Sequence, residues 1–285
     1  MRYILLLLVA TIVVGVTASQ AVAAAGDDRL GAILAAQPAR AQARYKYRHP
    51  QETLDFFGVE PGMTVMEVLP GSGWYTKILL PYLGSDGRLI AADYSMEMWP
   101  HFPFANKKFL EQKKSWAQDW MAGVKAWRTD EDAEVSAFVL GSLPESMHGT
   151  ADVVLFMRAL HNLARFESEG DFLGEAIRDA YDILKPGGVV GIVQHHARDD
   201  MPDSWADGKN GYLKKGFVIA KMQAAGFELV GESDINANPA DQPTTAEFVW
   251  RLPPGYRGST KNPEQKAKMD AIGESNRMTL KFRKP

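Results

Sequence analysis

The stretch Val65-Met66-Glu67-Val68-Leu69-Pro70-Gly71-Ser72-Gly73-Trp74-Tyr75 decides how this chain folds. A short apolar run breaks at a Pro-Gly-x-Gly turn and resumes with helix-type spacing, and Glu67 sits just ahead of the glycines. That order suits a nucleotide-type ligand laid across the end of a first strand, with the next helix aiming its N-terminus at it. A dinucleotide fingerprint needs a third glycine at position 76, where helix and strand pack closely. Position 76 is Thr76, which argues against a nicotinamide-dependent reductase.

Upstream, Pro61-Gly62 turns the chain into a strand at residues 64–68, and residues 51–57 read as a helix opened by Pro50 and stopped by Gly58. Downstream, residues 74–83 carry Ile78, Leu79 and Tyr82 on one helical face, and residues 88–93 form a second buried strand. Residues 104–124 have helical character, with Phe109, Lys113, Trp116 and Trp120 near three-to-four spacing. Further strands are expected at 135–140, 152–157, 189–194 and 228–231, and helices at 172–184 and 217–225. The turn Lys185-Pro186-Gly187-Gly188 stops the first of those helices, and closing strands are expected at 248–251 and 278–283. Strands alternating with helices predict an α/β fold with a parallel sheet covered on both faces.

The chain opens Met1-Arg2-Tyr3, followed by an apolar run over residues 4–16 and small residues at Ala-x-Ala spacing in 21–25. These features describe a cleavable signal peptide, residues 1–25. The run falls short of the roughly 20 residues that cross a bilayer, so no stable membrane insertion is expected after cleavage. Residues 26–285 then form one domain with N-terminal helices (26–60) and a helical insertion (about 104–126), in a periplasmic or secreted protein. There is no cysteine, which excludes lipoprotein anchoring, disulfides, thiolate metal sites and a cysteine nucleophile. A net charge of −3 supplies no field for nucleic acid.

In an open α/β sheet, ligands bind beyond the carboxyl ends of the strands, where strand order reverses. After the first strand come Pro70, Gly71, Ser72, Gly73, Trp74 and Tyr75. The second ends at Asp93-Tyr94, where an acid accepts the ribose hydroxyls of a nucleotide-type ligand. No acid stands in residues 138–143 around the end of the third strand, and Ser142 is the nearest polar residue there. The fourth runs into Arg158-Ala159-Leu160-His161-Asn162, the fifth into His195-His196. Arg158 either neutralises a buried acid such as Glu67 or grips an anionic substrate group. His161 is the first candidate for a general base, ahead of His195. No His-x-x-His or His-Glu-x-x-His spacing marks a metal site, so none is expected.

The acid-x-x-x-Gly-x-Gly run resembles the first motif of class I methyltransferases that use S-adenosylmethionine. More particular pieces resemble the predicted extracytoplasmic methyltransferases of proteobacteria: Tyr47-Arg48-His49-Pro50, Arg158 with His161-Asn162, His195, Asn238-Pro239-Ala240-Asp241 and Asn276-Arg277-Met278. The chain departs from that group at Gln194, where relatives commonly carry Glu, and at Asn276, where Asp is usual. The resemblance implies a Rossmann-like class I methyltransferase fold: a mostly parallel seven-stranded sheet, helices on both faces and an antiparallel closing strand. It implies S-adenosylmethionine as cofactor, held by Glu67, residues 70–75, Asp93, Tyr94, Ser142 and Arg158. An aromatic face at Trp74 or Tyr75 would add cation–π attraction to a sulfonium, of order 1 kcal/mol. His161, Arg158 and His195 are the candidate catalytic residues, acting on a small-molecule methyl acceptor. Residues 104–124 and 199–211 are expected to roof the pocket. The alternative is a non-catalytic or repurposed extracytoplasmic ligand-binding protein, since the cofactor is made in the cytosol.

Overall fold

The computed structural model describes residues 28–285. The expected signal peptide therefore lies outside the described residues. Helix α1 covers residues 28–36 and lies against the first sheet helix, with Arg29 donating to Pro81 O at 2.6 Å. Two short turns follow, α2 (Ala39–Gln42) and α3 (Tyr45–Arg48), and His49 breaks them off in left-handed backbone. Pro50 opens α4 (Pro50–Phe57), and Gly58 ends it at φ 74°, both as the sequence predicts.

The sheet begins with β1 (Thr64–Val68), α5 (Thr76–Leu83) and β2 (Arg88–Asp93). The connection to β3 (Glu134–Val139) carries α6 (Lys107–Lys113) and α7 (Trp116–Lys125), and α7 packs on β2 and β3. Then come β4 (Ala151–Met157), α8 (Leu160–Ala164), α9 (Phe172–Ile183), β5 (Leu184–Ala197) and the short β6 (Leu213–Lys214). The chain closes with α10 (Lys215–Ala224), β7 (Glu228–Ser233), α11 (Pro263–Ile272) and β8 (Arg277–Arg283). Strand order is β3-β2-β1-β4-β5-β8-β7, with β6 paired to β5 off this path. β1 to β5 run parallel, and β8 lies antiparallel between β5 and β7.

Because side chains alternate along a strand, the apolar runs feed two cores. Met66, Ile90, Val154 and Ile192 pack on one face, while Val65, Leu89, Val153 and Val193 pack on the other. That double burial is why the strands read as continuous apolar runs rather than alternating ones.

Four expectations change. Residues 248–251 are not a closing strand: Val249–Arg251 is a single 3-10 turn. β7 and β8 already complete that side of the sheet, and Pro253-Pro254 removes two ladder donors. The Lys185-Pro186-Gly187-Gly188 turn is absorbed into β5 as an irregularity, with Gly187 N bonded to Lys284 O at 2.9 Å. α5 starts at Thr76 rather than at residue 74, since the glycine loop occupies the turns before it. α11 was missed because its apolar residues show no helical period; only Asn262 as cap and Pro263 at the first turn signal it. Among the described residues, no helix is long and apolar enough to cross a membrane.

Candidate functional site

Strand order turns back at β1, flanked by β2 on one side and β4 on the other. Both β1 and β4 run into a left-handed non-glycine residue, Leu69 (φ 56°) and Arg158 (φ 61°). Such backbone costs roughly 1–3 kcal/mol and collects where geometry serves a site. Gly71 (φ 57°) and Gly73 (φ 75°) take the same region without that cost. A Cβ on Gly73 would stand 3.4 Å from Thr76 Oγ1. Thr76 uses that hydroxyl to donate to Glu67 Oε2 at 2.6 Å, beneath the loop. Burial pushes the Glu67 carboxyl up to about 7, against the lowering effect of the Thr76 bond and the Arg158 charge. Arg158 therefore acts on Glu67 only at a distance. Pro70 and Tyr75 are buried, and Ser72 is exposed on the loop. Trp74 lies under the Arg48 guanidinium at 4.5 Å, so one aromatic face already carries a cation, and its Nε1 is buried without a partner.

Asp93 is buried at the end of β2, with Lys113 Nζ 2.7 Å from its Oδ2. Lys113 comes from α6 and also lies 4.0 Å over the Trp99 ring. Burial raises the Asp93 carboxyl, and Lys113 opposes that shift. Tyr94 packs edge-on against Trp99 at 4.8 Å. Two residues past Asp93, the Ser95 hydroxyl is buried with no partner. Ser95 and Ser142 line one cavity of about 470 Å³ between the ends of β2 and β3. Ser142 gives its own hydroxyl to Val139 O at 2.7 Å.

A second cavity, about 290 Å³, opens beyond the ends of β4 and β5. It brings together Arg158, His161 and His195, with the two imidazoles 5.1 Å apart. Gln194 orders them. Its amide nitrogen donates to Gly211 O at 3.0 Å and to His195 O at 3.3 Å. Its Oε1 therefore faces His161, 3.3 Å from the backbone N–H and 3.2 Å from Nδ1. Nδ1 must carry the proton to make that bond, which leaves the Nε2 lone pair free. Burial pulls His161 down to about 4, while the Gln194 bond works to raise it. His195 is held well below its ordinary value by burial first and then by His161 and the arginines, and its Nδ1 lies 2.5 Å from Ser275 Oγ. Both rings are neutral at pH 7.

Sequence reasoning missed the rest of this cavity. Glu274 accepts from Arg44 Nε at 2.6 Å, from Arg48 Nε at 3.3 Å and from Arg277. Burial works to raise its carboxyl, but Arg277, Arg48 and Arg44 outweigh burial and hold it at about 2. Arg48 and Arg277 stood in motif pieces quoted above, whereas nothing local marks Arg44, Glu274 or Trp250. Residues 199–211 do not line this cavity. Met201, Trp205 and Ala206 instead form a small core with Tyr212 and Val249 that props the 249–255 wall. Among the described residues, no three His, Asp or Glu side chains gather as a metal site.

No family model matches the sequence, and no curated protein matches it either. Solved structures do. A chain from the complex of the Haloferax volcanii Trm112 methyltransferase activator with a candidate methyltransferase is 15% identical, at a TM-score of 0.52 over 91% of this chain and 97% of that one. An S-adenosylmethionine-dependent methyltransferase from Aquifex aeolicus is 19% identical (TM-score 0.43; 73% and 93% covered). The [4+2]-cyclase SpnF is 16% identical (TM-score 0.48; 84% and 80% covered). At 15% identity the first of these likenesses shows the fold alone: a Rossmann-like, mostly parallel sheet with helices and antiparallel closing strands.

Proposed function

We propose that this chain is an S-adenosylmethionine-dependent methyltransferase acting on a small-molecule acceptor outside the cytoplasm. One observation carries the reading. A left-handed glycine loop at the strand-order reversal lies between a buried acid on one side and a histidine-lined cavity on the other.

The residues fit the cofactor. Gly71 and Gly73 leave loop backbone open to its methionine portion, Asp93 would accept from its ribose, and the unpartnered Ser95 hydroxyl lies where its adenosine would extend. When bound, the cofactor supplies a methyl group on a sulfonium, an electrophile with a good leaving group. The protein's own task is alignment and exclusion of water. Glu67 anchors the helix that follows the loop through Thr76. Gln194 fixes the His161 tautomer, so Nε2 can take a proton from an acceptor hydroxyl or protonated amine. Trp250 and Pro253-Pro254 wall the cavity against solvent.

The Lys113–Asp93 ion pair favours the second reading, a repurposed ligand-binding protein, because it occupies the acid that should receive the ribose. Calorimetry with S-adenosylmethionine and S-adenosylhomocysteine separates the two. The exported form should be used, its N-terminus sequenced to locate the cleavage expected near residue 25. Binding in the micromolar range is expected; no heat from either compound at millimolar concentration would sink the enzyme reading.

A further inference from the structure

We propose that the cavity beyond β4 and β5 is an oxyanion seat, and that Arg158 receives there a carboxylate or phosphate of the methyl acceptor. The identification of its occupant as an acceptor rests on the methyltransferase reading above; the oxyanion seat itself does not.

The lining is strongly cationic. Arg44, Arg48, Arg158 and Arg277 face the single carboxylate Glu274 across the lining, and both histidines are neutral. The cavity therefore carries a net charge of +3. Glu67 does not line it. Its carboxylate lies under the glycine loop and is engaged by Thr76.

The second observation is how unequally the four arginines are partnered. Arg44 and Arg48 are bound to Glu274, and Arg48 also covers Trp74. Arg277 reaches Glu274, Ser275 Oγ at 3.3 Å and Tyr47 O at 2.9 Å. The Arg158 guanidinium alone among them has no hydrogen-bond or ion-pair partner among the described residues; its backbone N–H bonds Val193 O. Burial opposes its charge first, then Arg48 and Arg277, while Tyr75, Glu274 and Glu67 favour it only at a distance. An arginine kept for stability would direct its five donors at protein acceptors. Here a largely buried guanidinium is held against like charges, on a backbone at φ 61°. Uncompensated charge of that kind is costly unless a counter-ion arrives.

The third observation is what the cavity leaves out. None of residues 69–75 and neither Asp93 nor Tyr94 lines it; the glycine loop meets its lining through Trp74, whose ring lies 4.5 Å from the Arg48 guanidinium. The lining also carries an apolar stretch, Val249, Trp250, Leu252 and Pro253-Pro254. A ligand with an acidic head on Arg158 and an apolar body along Trp250 fits both. His161, whose ring lies 5.9 Å from that of Trp250, then faces the ligand's middle. The ligand class is a small organic acid or phosphate ester.

The test is calorimetry on the purified protein with inorganic phosphate and with benzoate, each alone and in saturating S-adenosylmethionine. At least one probe should bind and keep its affinity when the cofactor is present; which one binds tells phosphate from carboxylate. Arg158→Gln should weaken that binding at least about tenfold, and Arg158→Lys should fall between. Arg158→Gln should also melt no lower than wild type, since it relieves repulsion; a purely structural arginine would lower Tm. Three results would overturn the proposal: neither probe binds, Arg158→Gln binds as well as wild type, or the cofactor displaces the probe. The last would make this the seat of the cofactor's own carboxylate. Probe binding that depends on Arg158 in a protein that ignores S-adenosylmethionine supports the oxyanion seat, and overturns the methyltransferase reading instead.

Discussion

At the scale of single residues, Gln194 does most to define the chemistry. The sequence marks it only as a departure from the glutamate that the family resemblance leads one to expect. In the fold it is a positioning residue, whose two donors are held by Gly211 O and His195 O so that its oxygen must serve His161. A neutral amide there leaves His161 as a free base down to about pH 4. In the proposed role His161 works unprotonated, so the rate is expected to fall as pH drops through that value. Gln194→Glu would put a carboxylate against Nδ1–H and favour the imidazolium, raising the histidine by about one unit or more. We expect the acidic limb of kcat to move to higher pH by that amount, with KM for the cofactor little changed. An unmoved limb would exclude His161 as the base.

At the scale of elements, α6 governs access to Asp93, the acid proposed to receive the cofactor's ribose. Helical spacing over residues 104–124 was legible, but the break at Lys114-Ser115 and the direction of Lys113 were not, because both depend on what α6 meets. That seven-residue helix, capped by Asn106, lays Lys113 across the end of β2 and onto Asp93. One carboxylate oxygen is thus engaged before any ribose arrives. Both partners are largely buried, so the cost of desolvating them offsets much of their attraction, and a ligand that hydrogen-bonds Asp93 can displace the lysine. Lys113→Met should therefore tighten S-adenosylmethionine binding by roughly three- to tenfold, measured by calorimetry at pH 8. Weaker binding would mean that Lys113 is part of the cofactor site and not its competitor.

At the scale of the whole molecule, Glu274 joins the two ends of the domain. It ties Arg44 and Arg48 from the N-terminal turns to Arg277 at the start of β8. Its folded carboxyl titrates at about 2, below the ordinary 4.5. The stability it contributes is therefore fully present above pH 4.5 and is lost as pH falls toward 2. Glu274→Gln should destabilise the protein by about 3 kcal/mol at pH 7 in urea melts, and the gap to wild type should close between those two pH values. A gap that stays constant with pH would show that the carboxylate's charge is not what binds the ends together. The sequence by itself determined the sheet, the glycine loop and the buried acids at its rim. Those features are written in local terms: apolar runs of strand length, glycines where left-handed backbone is needed, and acids at fixed spacing from them. Only the tertiary structure decided that Arg44, Arg48, Arg158 and Arg277 surround one cavity with one carboxylate between them. These arginines are up to 233 positions apart in the chain, and a charge field depends on distance in space, which no local pattern records.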